Sequence, residues 1–112
     1  MHWPMAWKKG TFFARDNTVT LEETWLAMEE LVLTSKLTRY VGVSNFDSTN
    51  LSRILKCQAS QLKPFANQIE LHLLLQQEKL VNLCLQHQVQ PIAWSPLAKF
   101  KPTLLDHPTL AV

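Results

Sequence analysis

Three short apolar segments recur along this chain at nearly equal intervals. Their centres, Val43, Ile69 and Ala93, are separated by 26 and 24 residues. That interval is too long for a hairpin and suits a strand, a crossover helix and a second strand running parallel to the first. Each segment is rich in β-branched or apolar residues, and polar, helix-patterned sequence lies between them. The fold class is therefore α/β, with right-handed crossovers. An open doubly wound sheet and a (β/α)8 barrel both satisfy the repeat. A barrel needs at least about 200 residues, so a chain of 112 residues is either an open sheet or part of a barrel.

The punctuation between segments supports this reading. Residues 8–19 are polar and aperiodic and are expected to form a loop. Thr20-Leu-Glu-Glu23 is a capping box, in which Thr20 caps the N3 amide and Glu23 reaches back. Leu21, Trp25, Met28, Leu31 and Val32 then mark one face of a helix over 20–35. No glycine follows it, and Lys36 stands near the expected left-handed position. A strand is predicted over 39–44, and a helix over 48–57 capped by Asp47 or Ser48. Pro64 breaks the chain before a strand over 65–70, and a third helix spans 76–87. The last strand, 89–94, is entered through Pro91 and stopped by Pro96. Residues 99–112 read as loop with a short helical turn.

Composition removes several classes of function. Only Gly10 and Gly42 are glycine, so no glycine-rich phosphate loop of the P-loop or Rossmann type is present. A net charge of +2 without a basic stripe argues against a nucleic-acid partner or an acidic membrane surface. No apolar run approaches the roughly 18 residues of a membrane span. The opening Met-His-Trp-Pro lacks the pattern of a secretory signal. Cys57 and Cys84 are too few for a disulfide scaffold and read as reduced thiols, which points to a cytoplasmic protein. Cys84 and His87 share a helix face, but two ligands do not make a metal site.

In parallel βα folds, chemistry gathers at the C-terminal ends of strands. Here those ends carry Ser44-Asn45, Gln68 and Trp94-Ser95. Hydroxyl, amide and indole groups at three successive strand ends suit a flat polar-aromatic ligand lying across them; satisfied polar strand ends are the simpler alternative.

Four ordered motifs make the comparison specific. His2-Trp3-Pro4, Gly42-Val-Ser-Asn-Phe46, Asn67-Gln-Ile-Glu-Leu-His72 and Trp94-Ser-Pro-Leu97 resemble, in order and spacing, those of the aldo-keto reductase family. The resemblance covers nearly the whole chain. It implies one partial domain over residues 1–112, running from the end of the fourth barrel strand to just past the seventh. It also implies an NADPH-dependent oxidoreductase of the alcohol dehydrogenase (NADP+) type that reduces aldehydes and ketones, with NADH as the alternative donor.

The family's catalytic set is Asp, Tyr, Lys and His. Only the histidine maps here, onto His2, whose imidazole would orient the substrate carbonyl. Ser44, Asn45 and Gln68 map onto residues that hold the nicotinamide carboxamide. Trp94 maps onto the aromatic residue that stacks on the ring, and Ser95 and Leu97 onto the pyrophosphate loop. Trp3, and by the same resemblance Trp7, would line the substrate pocket; for Trp7 ordinary loop burial is the favoured alternative. Tyr40, the sole tyrosine, stands at the start of a strand and is read as structural.

The segments carrying the family's Asp, Tyr and Lys would precede Met1, and the grip on the 2′-phosphate would follow Val112. His2 is therefore expected on an unanchored terminus, and the chain alone is expected to reduce no carbonyl. Leu73 stands where proline is usual and Ala98 where glycine is common. Open sheet edges invite self-association. The non-catalytic alternative is a reductase-derived module that binds nucleotide or pairs with another protein.

Overall fold

The capping box predicted at Thr20 is formed: the Glu23 amide donates to Thr20 Oγ1 at 3.1 Å, and the Thr20 amide donates to Glu23 Oε2 at 2.8 Å. It opens the first helix of a computed structural model that describes residues 1–11, 14–102 and 106–108. Within these, the elements are β1 (Ala6–Trp7), β2 (Arg15–Asp16), α1 (Leu21–Leu33), β3 (Val43–Ser44), α2 (Ser48–Leu55), β4 (Ala66–Glu70), α3 (Glu78–Gln86) and β5 (Gln90–Trp94), followed by a 3-10 turn at Ala98–Phe100. That turn overlaps the start of the tail, 99–112, within which a short helical turn is expected. Residues 103–105 and 109–112 of the predicted tail lie outside the described residues, as do 12 and 13 of the predicted loop.

The loop expected over 8–19 needs correction. Ala6 pairs antiparallel with Asp16, and Trp7 with Arg15, so its two flanks close a small hairpin. Two paired residues per strand are too few to leave a period in the sequence. Trp7, expected to be buried, is 40% exposed on β1.

The main sheet has the order β3-β4-β5, and both pairings are parallel. β3 is shorter than the predicted 39–44, although the Phe65 amide still reaches the Val41 carbonyl at 2.8 Å. Tyr40, outside the strand, lies against Phe65 with ring centroids 4.5 Å apart. Gly42 is required by close approach: a Cβ there would lie 3.0 Å from the Ala66 carbonyl oxygen.

The helices end and begin by local rules. Lys36 takes the left-handed position after α1, with φ of 51°, a conformation costing a non-glycine residue roughly 1–2 kcal/mol. Asp47, the first of the two candidates, caps α2 by accepting from the Asn50 amide at 2.8 Å. α3 starts later than predicted because Gln77 is left-handed, with its Nε2 donating to the Glu70 carbonyl at 2.6 Å.

The helices cover one face of the sheet. Trp25, Phe46, Leu51, Ile54, Ile69 and Val89 pack there with almost no exposure. Asn67 faces the same way and is fully buried, donating to the Phe46 carbonyl at 3.0 Å. Strand alternation sends the next residues to the opposite face. Ser44, Gln68 and Ile92, which are in register, lie on that other face, where Gln68 and Ile92 are exposed.

One core residue is charged. Glu29 is 3% exposed on the inner stripe of α1. Its carboxylate accepts from Trp25 Nε1 at 3.0 Å, Ser60 Oγ at 2.5 Å and the Leu62 amide at 2.8 Å. The Gln61 amide also reaches it, at 3.2 Å. A single side chain thereby fixes the loop between α2 and β4. Among the described residues, no helix is long and apolar enough to cross a membrane.

Candidate functional site

The ends of β3 and β5 are joined by one side chain. Asn45, just past β3, adopts a left-handed φ of 59°, which asparagine tolerates better than most residues. Its amide N–H donates to the Gln68 carbonyl at 2.9 Å. Its Oδ1 accepts from Trp94 Nε1 at 3.2 Å, and its Nδ2 donates to the His2 carbonyl at 3.0 Å. Asn45 therefore links the N-terminal segment, β3 and β5 across the end of β4.

Ser44 closes the inner part of this arrangement. Its hydroxyl donates to the Gln68 carbonyl at 2.8 Å and lies 3.3 Å from Asn45 Nδ2. Gln68 sits beside Ser44 in register, and its side-chain amide has no hydrogen-bond partner among the described residues. It retains a donor and an acceptor together, whereas most of the capacity of Ser44 and Asn45 is used locally. Gln68, Ser44, His2, Met1 and Gly42 line a hollow of about 330 Å³.

The N-terminal segment is not loose. The Met1 nitrogen donates to the Gly42 carbonyl at 2.7 Å, and the Ser44 amide donates to the Met1 carbonyl at 2.8 Å. These bonds pair Met1 with the outer edge of β3 and correct the expectation that His2 is unanchored. Backbone groups at that strand edge were invisible in the residue pattern. The His2 ring is exposed and stacks on Trp3 with centroids 5.7 Å apart and planes 14° apart. Trp3 is 43% exposed.

Past β5 the backbone turns sharply. Ser95 has φ of 50°, Ala98 51° and Lys99 56°. The Ala98 amide donates to the Ser95 carbonyl at 2.8 Å, and the Phe100 amide to the Leu97 carbonyl at 2.9 Å. Leu97 is about half exposed. The turn carries Lys99 back over Trp94, with Nζ 5.6 Å from the ring centroid. Sequence reasoning missed this contact because the backward turn runs through non-glycine residues. Tyr40 lies at the far end of β3 from all these groups.

The site thus brings together Ser44, Asn45, Gln68, Trp94 and His2, with Trp3 beside His2 and Ser95 and Leu97 in the following turn. His72, two residues beyond β4, was given no role from sequence. Its Nε2 lies 3.5 Å from Glu70 Oε1, and its Nδ1 is buried without a partner. Both cysteines are free; burial pushes the Cys84 thiol above its ordinary pKa.

Known proteins place this architecture. The model of the Aldo/keto reductase family matches residues 1–105. The chain is 43% identical over 88 residues to glycerol 2-dehydrogenase (NADP(+)) of Saccharomyces cerevisiae, covering 79% of this chain and 28% of that protein. It is 35% identical over 127 aligned positions to 3-alpha-hydroxysteroid dehydrogenase of Rattus norvegicus, covering 98% and 39%. A crystal structure of an aldo-keto reductase of the silkworm Bombyx mori superposes with a TM-score of 0.82 at 37% identity, covering 96% of this chain and 33% of that one. A silkworm aldo-keto reductase complexed with NADPH gives 0.74 at 38% identity, over 85% and 27%. The chain spans less than two-fifths of the length of these relatives. Its three parallel strands and their helices are a segment of a (β/α)8 barrel, with the uncovered sheet face corresponding to the barrel interior. The chain belongs to the aldo/keto reductase family.

Proposed function

We propose that this chain carries the nicotinamide-facing part of an NADPH-dependent carbonyl reductase that converts aldehydes or ketones to alcohols. The observation that carries the reading is the Asn45 side chain, bonded at once to Trp94 Nε1 and the His2 carbonyl. It gathers hydroxyl, amide, indole and imidazole groups at one end of parallel strands, where βα folds place their chemistry. Curated relatives include an NADP(+)-dependent glycerol dehydrogenase, and a similar solved structure contains NADPH.

The residues present fit a nicotinamide. A carboxamide has one donor and one acceptor function, and the unpartnered Gln68 amide offers both in return. Ser44 and Asn45 would complete its contacts by exchanging local hydrogen bonds. The indole of Trp94 supplies a flat face for stacking. Ser95 and Leu97 would meet the pyrophosphate, and Trp3 would wall the substrate pocket. When bound, the reduced cofactor supplies the hydride. The residues of this chain orient the ring and, through His2, the carbonyl oxygen. NADPH is favoured over NADH by the named relatives.

Of the family's Asp, Tyr, Lys and His, these residues carry only His2, so the chain alone should not turn over a carbonyl. Loss of a general acid alone costs about 10²–10⁴ in rate. Binding and turnover are therefore tested separately. NADPH titration followed by tryptophan fluorescence should saturate and weaken in Asn45→Ala. NADPH oxidation with an aromatic aldehyde should stay at background in the chain and in His2→Ala. Failure of NADPH to quench any tryptophan would end the cofactor reading; turnover that disappears in His2→Ala would end the inactivity reading.

The open outer edge of β5 favours one further use. Among the described residues β5 pairs only with β4, and its free edge suits pairing with another chain, including a second copy. Sedimentation of the chain over a concentration series tests it: a monomer at all concentrations removes this reading.

A further inference from the structure

We infer that Lys99 makes the site discriminate between the two redox states of its nicotinamide cofactor, favouring the reduced form. The inference rests on the reading of Trp94 as the nicotinamide platform. Lys99 Nζ lies 5.6 Å from the Trp94 centroid, within the range of a cation–π contact. An indole has two faces; the ammonium lies over one, so a stacking ring would take the other. The turn after β5 fixes this arrangement, because Ala98 and Lys99 are both left-handed and the Ala98 amide is tied to the Ser95 carbonyl. Among the described residues, no carboxylate pairs with Lys99; the Glu70 carboxylate, one strand away, lies near His72 instead. Lys99 therefore carries its charge without an ion-pair partner among the described residues.

The oxidised nicotinamide ring is a cation and the reduced ring is neutral. A ring stacked about 3.5 Å beyond the indole would lie about 9 Å from the ammonium. Repulsion over that distance acts only on the oxidised ring. Phosphates, riboses and adenine are identical in NADPH and NADP+, so their attraction to Lys99 cancels in the ratio of the two affinities. Only the ring charge remains. With an effective dielectric between that of a protein surface and that of water, the preference should be about two- to four-fold at low salt.

The test is the ratio of Kd for NADP+ to Kd for NADPH, measured by tryptophan fluorescence on the chain, Lys99→Met and Lys99→Arg. Lys99 is exposed, so neither substitution removes a core contact. The ratio should fall about two- to four-fold in Lys99→Met and persist in Lys99→Arg, which keeps the cation over the ring. It should also shrink in the parent between about 0.01 M and about 1 M salt, where the screening length drops from about 30 to about 3 Å. A purely structural role for Lys99 would weaken both ligands equally and leave the ratio unchanged, which would overturn the inference. Binding of neither ligand would overturn it together with the cofactor reading. Binding of both at an unaltered ratio would overturn it alone.

Discussion

Replacing Glu29 with alanine should destabilise this protein strongly, although Glu29 is far from the proposed site. Its carboxylate is 3% exposed and receives the Trp25 indole, the Ser60 hydroxyl and the Gln61 and Leu62 amides. Removing it leaves the Gln61 and Leu62 amides without their acceptor, and the indole keeps only Ser60 Oγ, at 3.0 Å. Each unsatisfied buried donor costs about 1–3 kcal/mol. Water admitted at the half-buried Ser60 would satisfy part of the loss, which brings the total to about 3–5 kcal/mol, the range found when one member of a buried charged network is removed. Stability of ordinary domains is only about 5–15 kcal/mol. For a chain this size each kcal/mol lowers Tm by about 4–8 °C, so Glu29→Ala should lower Tm by about 12 °C or more. Glutamine keeps one oxygen but turns an NH2 group toward donors, and should lose about 1–3 kcal/mol. Glu30, next in the same helix but exposed, is the control, and its alanine variant should stay within about 0.5 kcal/mol of the parent. Urea unfolding followed by far-UV circular dichroism gives all three values. If Glu29→Ala unfolds within about 1 kcal/mol of the parent, the carboxylate does not hold the loop between α2 and β4, and the reasoning fails.

Two other outcomes follow from local geometry. Gly42→Ala should destabilise by about 1–3 kcal/mol, because the new Cβ meets the Ala66 carbonyl oxygen at 3.0 Å; an unchanged urea midpoint would mean that β3 and β4 separate without cost. The Arg53 guanidinium holds the Glu22 carboxyl below its ordinary 4.5. Since the folded value is the lower one, the pair's contribution is complete above pH 4.5 and is lost as pH falls through the folded value. Glu22 and Arg53 are 31% and 45% exposed, which limits that contribution to under about 1 kcal/mol. The stability gap between the parent and Arg53→Gln should therefore be small at neutral pH and close in acid. A gap that widened in acid would contradict the assignment.

The sequence alone determined the order and type of the main elements, because each rests on contacts close along the chain. The capping box of α1, the Asp47 cap of α2 and the alternation that buries Val43 and Ile69 are local, and periodicity reports them directly. The motifs likewise placed Ser44 and Trp94 at strand ends, since strand ends can be counted, whereas Gln68, expected at an end, lies in the middle of β4 because that strand continues to Glu70. Contacts between distant segments were not legible. The β1–β2 hairpin is too short to leave a period, and the bonds from Met1 to the edge of β3 use backbone groups that any residue supplies. Glu29 stands where the apolar stripe of α1 called for a hydrophobe, and its explanation lies in Ser60, Gln61 and Leu62, about thirty residues away. The bonds that Asn45 makes to Trp94 and His2 span 49 and 43 residues, so only the folded sheet determines that these groups meet. Lys99 reaches Trp94 only because successive left-handed residues reverse the chain. Local propensity carries no information about such a reversal when none of those residues is glycine.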